Sequence, residues 1–136
     1  MQFGILFERQ TSDPVNGEAA VWREGLEQAE LADRSGFDAV WALEHHFLVG
    51  YAHCSAPEVF LTAVSQRTTN VRLGHGVVVA PTPVNHPLRL AERVAALDLV
   101  SGRSGGPEDW SQFGEAPFFL SGVRLSPGEN VTSGLR

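Results

Sequence analysis

The chain contains a single cysteine, no lysine and no long hydrophobic run. One cysteine, Cys54, excludes an internal disulfide and a cysteine-rich metal site, and a lone cysteine is most often a small buried hydrophobic residue. No apolar run approaches the ~20 residues that cross a bilayer, and no basic segment precedes an apolar one as in a signal peptide. We therefore expect a soluble, cytoplasmic protein with no membrane partner.

Basic charge is also scarce. Ten arginines face 16 acidic residues, which gives a net charge of −6 at pH 7, and the arginines form no cluster. Because nucleic-acid-binding surfaces are basic, this balance argues against such a surface. The 136 residues, 43% of them hydrophobic, are enough for one modest domain with its own core.

Hydrophobic periodicity predicts three successive strand–helix units. Short apolar runs alternate with amphipathic segments, which predicts strands over 2–8, 37–43 and 71–80 and helices over 18–35, 55–66 and 85–100. Strands that alternate with helices are typical of parallel sheets with right-handed crossovers. The third strand is apolar on both faces, as in sheets that are covered on both sides.

Local signals mark the ends of these helices. Gly36 and Gly102 are predicted to end the first and third helices, because glycine adopts the left-handed C-terminal cap at little cost. Ser55 followed by Glu58 is predicted to form a capping box on the second helix, and Asn85 is predicted to cap the third. Helices bounded by short connections are typical of the opening of a (β/α) barrel or of a doubly wound sheet.

Two stretches of the chain lack an expected pattern. The connection after the first strand has no G-x-G-x-x-G, which counts against a dinucleotide-binding Rossmann site. Residues 103–136 contain Gly, Ser, Pro and scattered Phe with neither the strand nor the helix period. We therefore predict a folded segment over 1–102 and an irregular, weakly structured tail over 103–136.

The second predicted strand ends abruptly in three ionisable residues, Glu44, His45 and His46. In barrels and open α/β sheets, sites lie at the C-terminal ends of the strands. An imidazole with a pKa of about 6.5 suits proton transfer, and a carboxylate often fixes a histidine tautomer. For Glu44 and His45, a solvated surface side chain is the alternative, whereas His46 is expected to be a packing or hydrogen-bonding neighbour. A metal hydrolase is less favoured, because adjacent histidines on an extended chain point in opposite directions.

Several motifs occur in an order that marks a known family. They lie at 1–4, at 36–41 with Glu44-His45-His46-Phe47, at 73–74, at 85–92 and at 97–102. Together they make the chain resemble, over residues 1–102, the N-terminal part of the bacterial luciferase-like family of flavin-dependent monooxygenases. No single motif would identify the family alone.

The resemblance implies a TIM (β/α)₈ barrel that uses reduced FMN and O₂ to oxygenate a small organic substrate, with a separate flavin reductase in the cell. A deazaflavin in place of FMN and a homo-oligomer stay open. The resemblance further implies that His45, supported by Glu44, acts catalytically beside the flavin. Gly76 and Val77, together with His45, would bind the cofactor, with a non-prolyl cis peptide bond between Gly76 and Val77 beneath the ring.

The chain departs from the family after Gly102. A barrel takes about 250 residues, whereas three of the eight units are recognisable here. Family members usually continue into a fourth strand, and we expect that this strand is deleted near Arg103. Two readings follow: an oxidoreductase whose site is incomplete in this chain, or a truncated, non-catalytic remnant that at most binds a partner through an exposed sheet edge.

Overall fold

The computed structural model describes residues 1–11, 13, 17–48, 51–79 and 83–102. Strands and helices alternate as predicted: β1 (Gly4–Phe7), α1 (Gly17–Arg34), β2 (Ala39–Leu43), α2 (Pro57–Ser65), β3 (Arg72–Val77) and α3 (Pro87–Ser101). Residues Met1–Val77 form one compact unit, and α3 belongs to a second unit that begins at Val78. The predicted tail lies outside the described residues.

The three strands form one parallel sheet in the order β1-β2-β3. This confirms the predicted α/β fold, and a sheet that grows by one neighbouring strand at a time is the arrangement of a barrel. β3 contains one extra residue at its end, because Ala42 pairs with His75 whereas Leu43 pairs with Val77. Gly76 is therefore the extra residue of a β-bulge.

One face of the sheet is covered by α1 and α2. Aromatic side chains join the layers, since the Phe60 ring lies 5.3 Å from that of Phe7 and 6.1 Å from that of Trp22, both edge to face. The opposite face is apolar but open: Leu6, which pairs with Trp41, is 57% exposed. The expectation that β3 is covered on both faces stays a prediction.

The helix ends follow the predictions only in part. Gly36 and Gly102 adopt the left-handed conformation, with φ of 80° and 62°, as predicted. The capping box at Ser55 is wrong, because α2 is capped by Ala56 and no side chain bonds its first turn. The residue before a proline is driven to extended backbone, so Pro57 fixes the start of the helix and Glu58 falls one position too early for a capping box.

The cap of α3 differs from the prediction by one residue. His86 is the N-cap, and its Nδ1 accepts a hydrogen bond of 3.2 Å from the Leu88 N–H. Asn85 instead donates its side-chain amide to the Val79 carbonyl at 2.7 Å and accepts from Arg93. Asn85 thus closes the turn before the helix, and this role excludes it from the cap.

The N-terminal edge of the sheet is organised by a buried carboxylate. Asp33, near the end of α1, accepts backbone N–H bonds from Thr69 at 3.1 Å, Asn70 at 2.7 Å and Val71 at 2.8 Å. Burial opposes ionisation of Asp33, but these N–H donors outweigh it and hold the pKa of the carboxyl below its ordinary value. Asp33 therefore fixes the turn that leads into β3.

Candidate functional site

The C-terminal ends of the three strands lie at one edge of the sheet, and backbone hydrogen bonds join the segments that follow them. The Glu44 N–H donates to the Val77 carbonyl at 3.1 Å, which links the ends of β2 and β3. The His45 N–H donates to the Cys54 carbonyl at 2.8 Å, and the His53 N–H donates to the Arg9 carbonyl at 3.1 Å. Residues 53–54 therefore connect the segment after β1 to the segment after β2.

Glu44 and His46 form a close pair at this edge. Glu44 is 4% exposed, and its Oε1 lies 2.6 Å from Nε2 of His46, whose side chain is partly exposed. Residues two apart on extended chain project to the same side, which brings these two together and directs His45 elsewhere. The carboxylate thus orients a histidine, as the sequence indicates, but that histidine is His46.

His45 presents a ring nitrogen that the described residues do not use. Its ring lies edge to face against Tyr51, with centroids 6.2 Å apart, and the Tyr51 hydroxyl donates to Glu8 at 3.2 Å. Nε2 of His45 is buried and has no hydrogen-bond partner within the described part of the chain. Leaving such an atom unsatisfied costs about 1–3 kcal/mol. The atom is therefore a candidate to bind a ligand.

Two non-glycine residues with left-handed backbone lie at the same edge. Arg9, two residues beyond β1, has a φ of 59°, and Phe47, four residues beyond β2, has a φ of 58°. Such conformations cost about 1–3 kcal/mol and occur preferentially at functional sites. Both residues turn the chain sharply after a strand, which brings the segments beyond β1 and β2 over the edge of the sheet.

Gly76 and Val77 lie at the end of β3, whereas the predicted strand over 71–80 placed them in its interior, and the bond between them is not cis. The structure contains no cis peptide bond among the described residues. A non-prolyl cis bond is about 2.5–4 kcal/mol less stable than the trans form, and here the bulge at Gly76 accommodates the extra residue with a trans bond. A Cβ on Gly76 would lie 2.7 Å from Cδ1 of Leu6, a side chain of β1 that reaches across β2, so a larger residue at this position would displace the Leu6 side chain.

Arg9 is a feature of this edge that the sequence analysis does not single out. The side chain is 4% exposed, and its guanidinium carbon lies 3.3 Å from the centre of the Phe60 ring and 4.5 Å from that of Trp22. Burial lowers the pKa of Arg9, an effect that the neighbouring Cys54 opposes. An isolated arginine after an apolar strand carries no sequence signal for such burial.

Cys54 is fully buried beside Arg9, as expected for a lone cysteine. Burial raises the pKa of its thiol more than the guanidinium lowers it, so the thiol is protonated at neutral pH. The described residues contain no group of three His, Cys, Asp or Glu side chains that could hold a metal ion. In the same part of the chain, no helix is long and apolar enough to span a membrane.

Comparisons with known proteins agree with this geometry. A family described as luciferase-like monooxygenase matches residues 1–103. The 4-hydroxyprotoasukamycin monooxygenase of Streptomyces nodosus subsp. asukaensis is 40% identical over 83 residues, which cover 61% of this chain and 21% of that protein. The oxygenase component of a flavin-dependent trigonelline monooxygenase from Acinetobacter baylyi is 31% identical over 101 residues, which cover 74% of this chain and 27% of that protein.

A solved structure shows the same fold. The crystal structure of monooxygenase RslO1 from Streptomyces bottropensis superposes with a TM-score of 0.65 at 37% identity, covering 74% of this chain and 30% of that one. Residues of this chain thus correspond to the first three strand–helix units of a TIM barrel. The chain spans about a fifth to a quarter of the length of the two curated relatives, so the activity of a whole protein does not follow from the match alone.

Proposed function

Because the chain belongs to the luciferase-like monooxygenase family, we propose that it forms part of a flavin-dependent oxygenase site acting on a small organic substrate. The observation that carries this proposal is the buried Nε2 of His45 at the C-terminal edge of the barrel-type sheet, which has no hydrogen-bond partner among the residues that the structure describes. Reduced flavin, when bound, supplies the electrons and the reaction with O₂. The protein supplies position, a proton at a defined atom and shelter from water.

Each residue at the edge has a proposed role. His45 exchanges a proton with the cofactor or substrate at Nε2, which is a role that imidazoles take in general acid–base catalysis. Glu44 acts through His46. The 2.6 Å contact between Glu44 Oε1 and His46 Nε2 holds both side chains on one side of the segment after β2, and His45 projects to the opposite side. Val77, 42% exposed at the end of β3, offers an apolar contact for a planar ring, and Gly76 permits close approach of the backbone.

FMN is the proposed flavin, and a deazaflavin is the alternative. One relative is named as the oxygenase component of a flavin-dependent system, which supports a separate reductase as the source of reduced flavin. We further propose that this chain by itself binds flavin weakly, since its described residues form three of the eight strand–helix units of a barrel. On this proposal, catalysis needs the remaining units, and a non-catalytic remnant is the second reading.

The test is an anaerobic titration of the chain with reduced FMN, followed by difference absorbance. We expect a weak but saturable signal, and His45→Asn should weaken binding about tenfold, the value of one hydrogen bond of about 1.4 kcal/mol. His86→Asn is the matched control, because His86 is the N-cap of α3 and asparagine also caps helices. A wild-type chain without any signal, or equal binding by both variants, would overturn the proposal. Stoichiometric, tight binding of FMN by the wild-type chain would contradict the proposal that its flavin site is incomplete.

A further inference from the structure

Arg9, which has no part in the proposed function, is a buried cation enclosed by three elements of the fold. Its guanidinium carbon lies 3.3 Å from the ring centre of Phe60 on α2, 4.5 Å from that of Trp22 on α1 and 5.8 Å from that of Phe7 on β1. Nη1 donates to the Val21 carbonyl at 3.4 Å. The side chain is therefore fixed by two helices and a strand at once.

The backbone of Arg9 is tied to the candidate site by a short series of contacts. The Arg9 carbonyl accepts the His53 N–H at 3.1 Å, and the carbonyl of the next residue, Cys54, accepts the His45 N–H at 2.8 Å. The Arg9 guanidinium also neighbours the buried Cys54 thiol. Both the main chain and the side chain of Arg9 thus restrain residues 53–54, which in turn hold the backbone of His45.

The energetics of Arg9 set it apart from an ordinary core residue. Nε and Nη2 are buried without a hydrogen-bond partner among the described residues. The contacts with three aromatic rings supply cation–π energy that offsets part of this desolvation cost. An apolar side chain of similar length would lose that energy and would also avoid the desolvation cost, so stability alone does not require a cation at this position.

We propose that Arg9 is a positioning residue for His45. Its guanidinium, stacked on Phe60, fixes residues 53–54, and these keep His45 at the sheet edge, where the described residues leave its Nε2 without a hydrogen-bond partner. The importance of this arrangement for flavin chemistry rests on the function proposed above. The arrangement itself is tested without any flavin.

Two substitutions perturb the guanidinium by independent routes. Arg9→Met removes the charge and keeps an unbranched apolar chain. Gly25→Ala keeps the charge but displaces it, because a Cβ on Gly25 would lie 2.9 Å from Nη1 of Arg9. Alanine also favours helix relative to glycine, so Gly25→Ala should strengthen α1 locally while it disturbs the cation. Arg34→Met, at the exposed end of α1, is the matched control.

The experiment is amide hydrogen exchange by NMR on the full 136-residue chain, with urea unfolding in parallel. We expect Arg9→Met and Gly25→Ala each to speed exchange of the His45 and His53 amides at least tenfold relative to the Val40 amide, and to shift the His45 ring-proton resonance. The unfolding midpoint should change little in Arg9→Met. Arg9→Lys, which keeps a cation over Phe60, should restore part of the protection, and Arg34→Met should change nothing.

Three outcomes would overturn the proposal. In the first, His45 and His53 exchange at wild-type rates in both variants. In the second, all amides accelerate in parallel, which would make Arg9 a residue of core stability alone. In the third, both variants fail to fold. Because no outcome depends on flavin, a wild-type chain that fails to bind FMN would overturn the proposed function without deciding the role of Arg9.

Discussion

Removing the Asp33 carboxylate should destabilise the unit that contains the sheet more than removing any exposed carboxylate. Three backbone N–H groups, those of Thr69, Asn70 and Val71, converge on Asp33 at 2.7–3.1 Å. In Asp33→Ala, water can reach the exposed Thr69 and Asn70. The Val71 N–H, in a residue that is fully buried, loses its charged acceptor.

The magnitude follows from these environments. A buried donor left without a partner costs about 1–3 kcal/mol, and each bond from a rehydrated donor to a charged acceptor adds a smaller net loss, so we expect a total of about 2–4 kcal/mol. Asp38→Ala is the control, because Asp38 accepts one N–H, from Phe3, at an exposed position. It should cost about 0.5–1.5 kcal/mol. Urea unfolding followed by circular dichroism measures both.

The loss in Asp33→Ala should depend on pH in a defined direction. Because the folded-state pKa of Asp33 is lowered, its contribution is fully present above the ordinary carboxyl pKa of about 3.9 and disappears as pH falls through the lower folded-state value. The stability difference between wild type and Asp33→Ala should be constant above about pH 5 and should shrink in more acidic solution. A difference no larger than that of Asp38→Ala, or one that persists undiminished below about pH 2, would refute the reasoning.

Two further predictions concern close packing and burial. Gly74→Ala should lower the free energy of unfolding by about 1–3 kcal/mol and change Trp41 fluorescence, because the added Cβ would overlap the indole ring. Gly36→Ala is the control, since Gly36 has open space around it but a φ of 80°. It should lower the free energy of unfolding by about 1 kcal/mol and leave the fluorescence unchanged. The Cys54 thiol, buried and with a raised pKa, should react with a thiol reagent only at the rate of local or global opening, so reaction as fast as that of free cysteine would contradict its burial.

The alternation of strands and helices was open to prediction because its signals are local. Apolar periodicity and the glycines at positions 36 and 102 act within a few residues of one another, and parallel pairing follows from the crossovers. The Glu44–His46 pair could also have been predicted, since residues two apart on extended chain share a side. The roles of His45, Gly76 and Val77, the boundary at 102 and the cytoplasmic location stay predictions.

The predictions that were wrong, and the residue that was missed, have other physical causes. The capping box at Ser55 was overridden by one local rule, the extended backbone that Pro57 imposes on the residue before it. The cis bond at Gly76–Val77 came from the family pattern, whereas a bulge accommodates the extra residue in this chain. Arg9 was missed because its burial depends on rings from α1 and α2, which the sequence around Arg9 does not reveal.

On the open face of the sheet, the Trp41 side chain requires glycine on both neighbouring strands. The Trp41 indole lies across both neighbouring strands, so that a Cβ on Gly4 of β1 would lie 3.0 Å from its Nε1, and a Cβ on Gly74 of β3 would overlap the ring. Trp41 therefore sets the packing of three strands on the face where Leu6 is exposed. In a closed barrel, this face is the interior, filled by side chains from alternate strands. Because Trp41 lies on β2, the strand that leads to His45, a change at Gly4 or Gly74 should alter the site through the strands rather than through contact with a ligand.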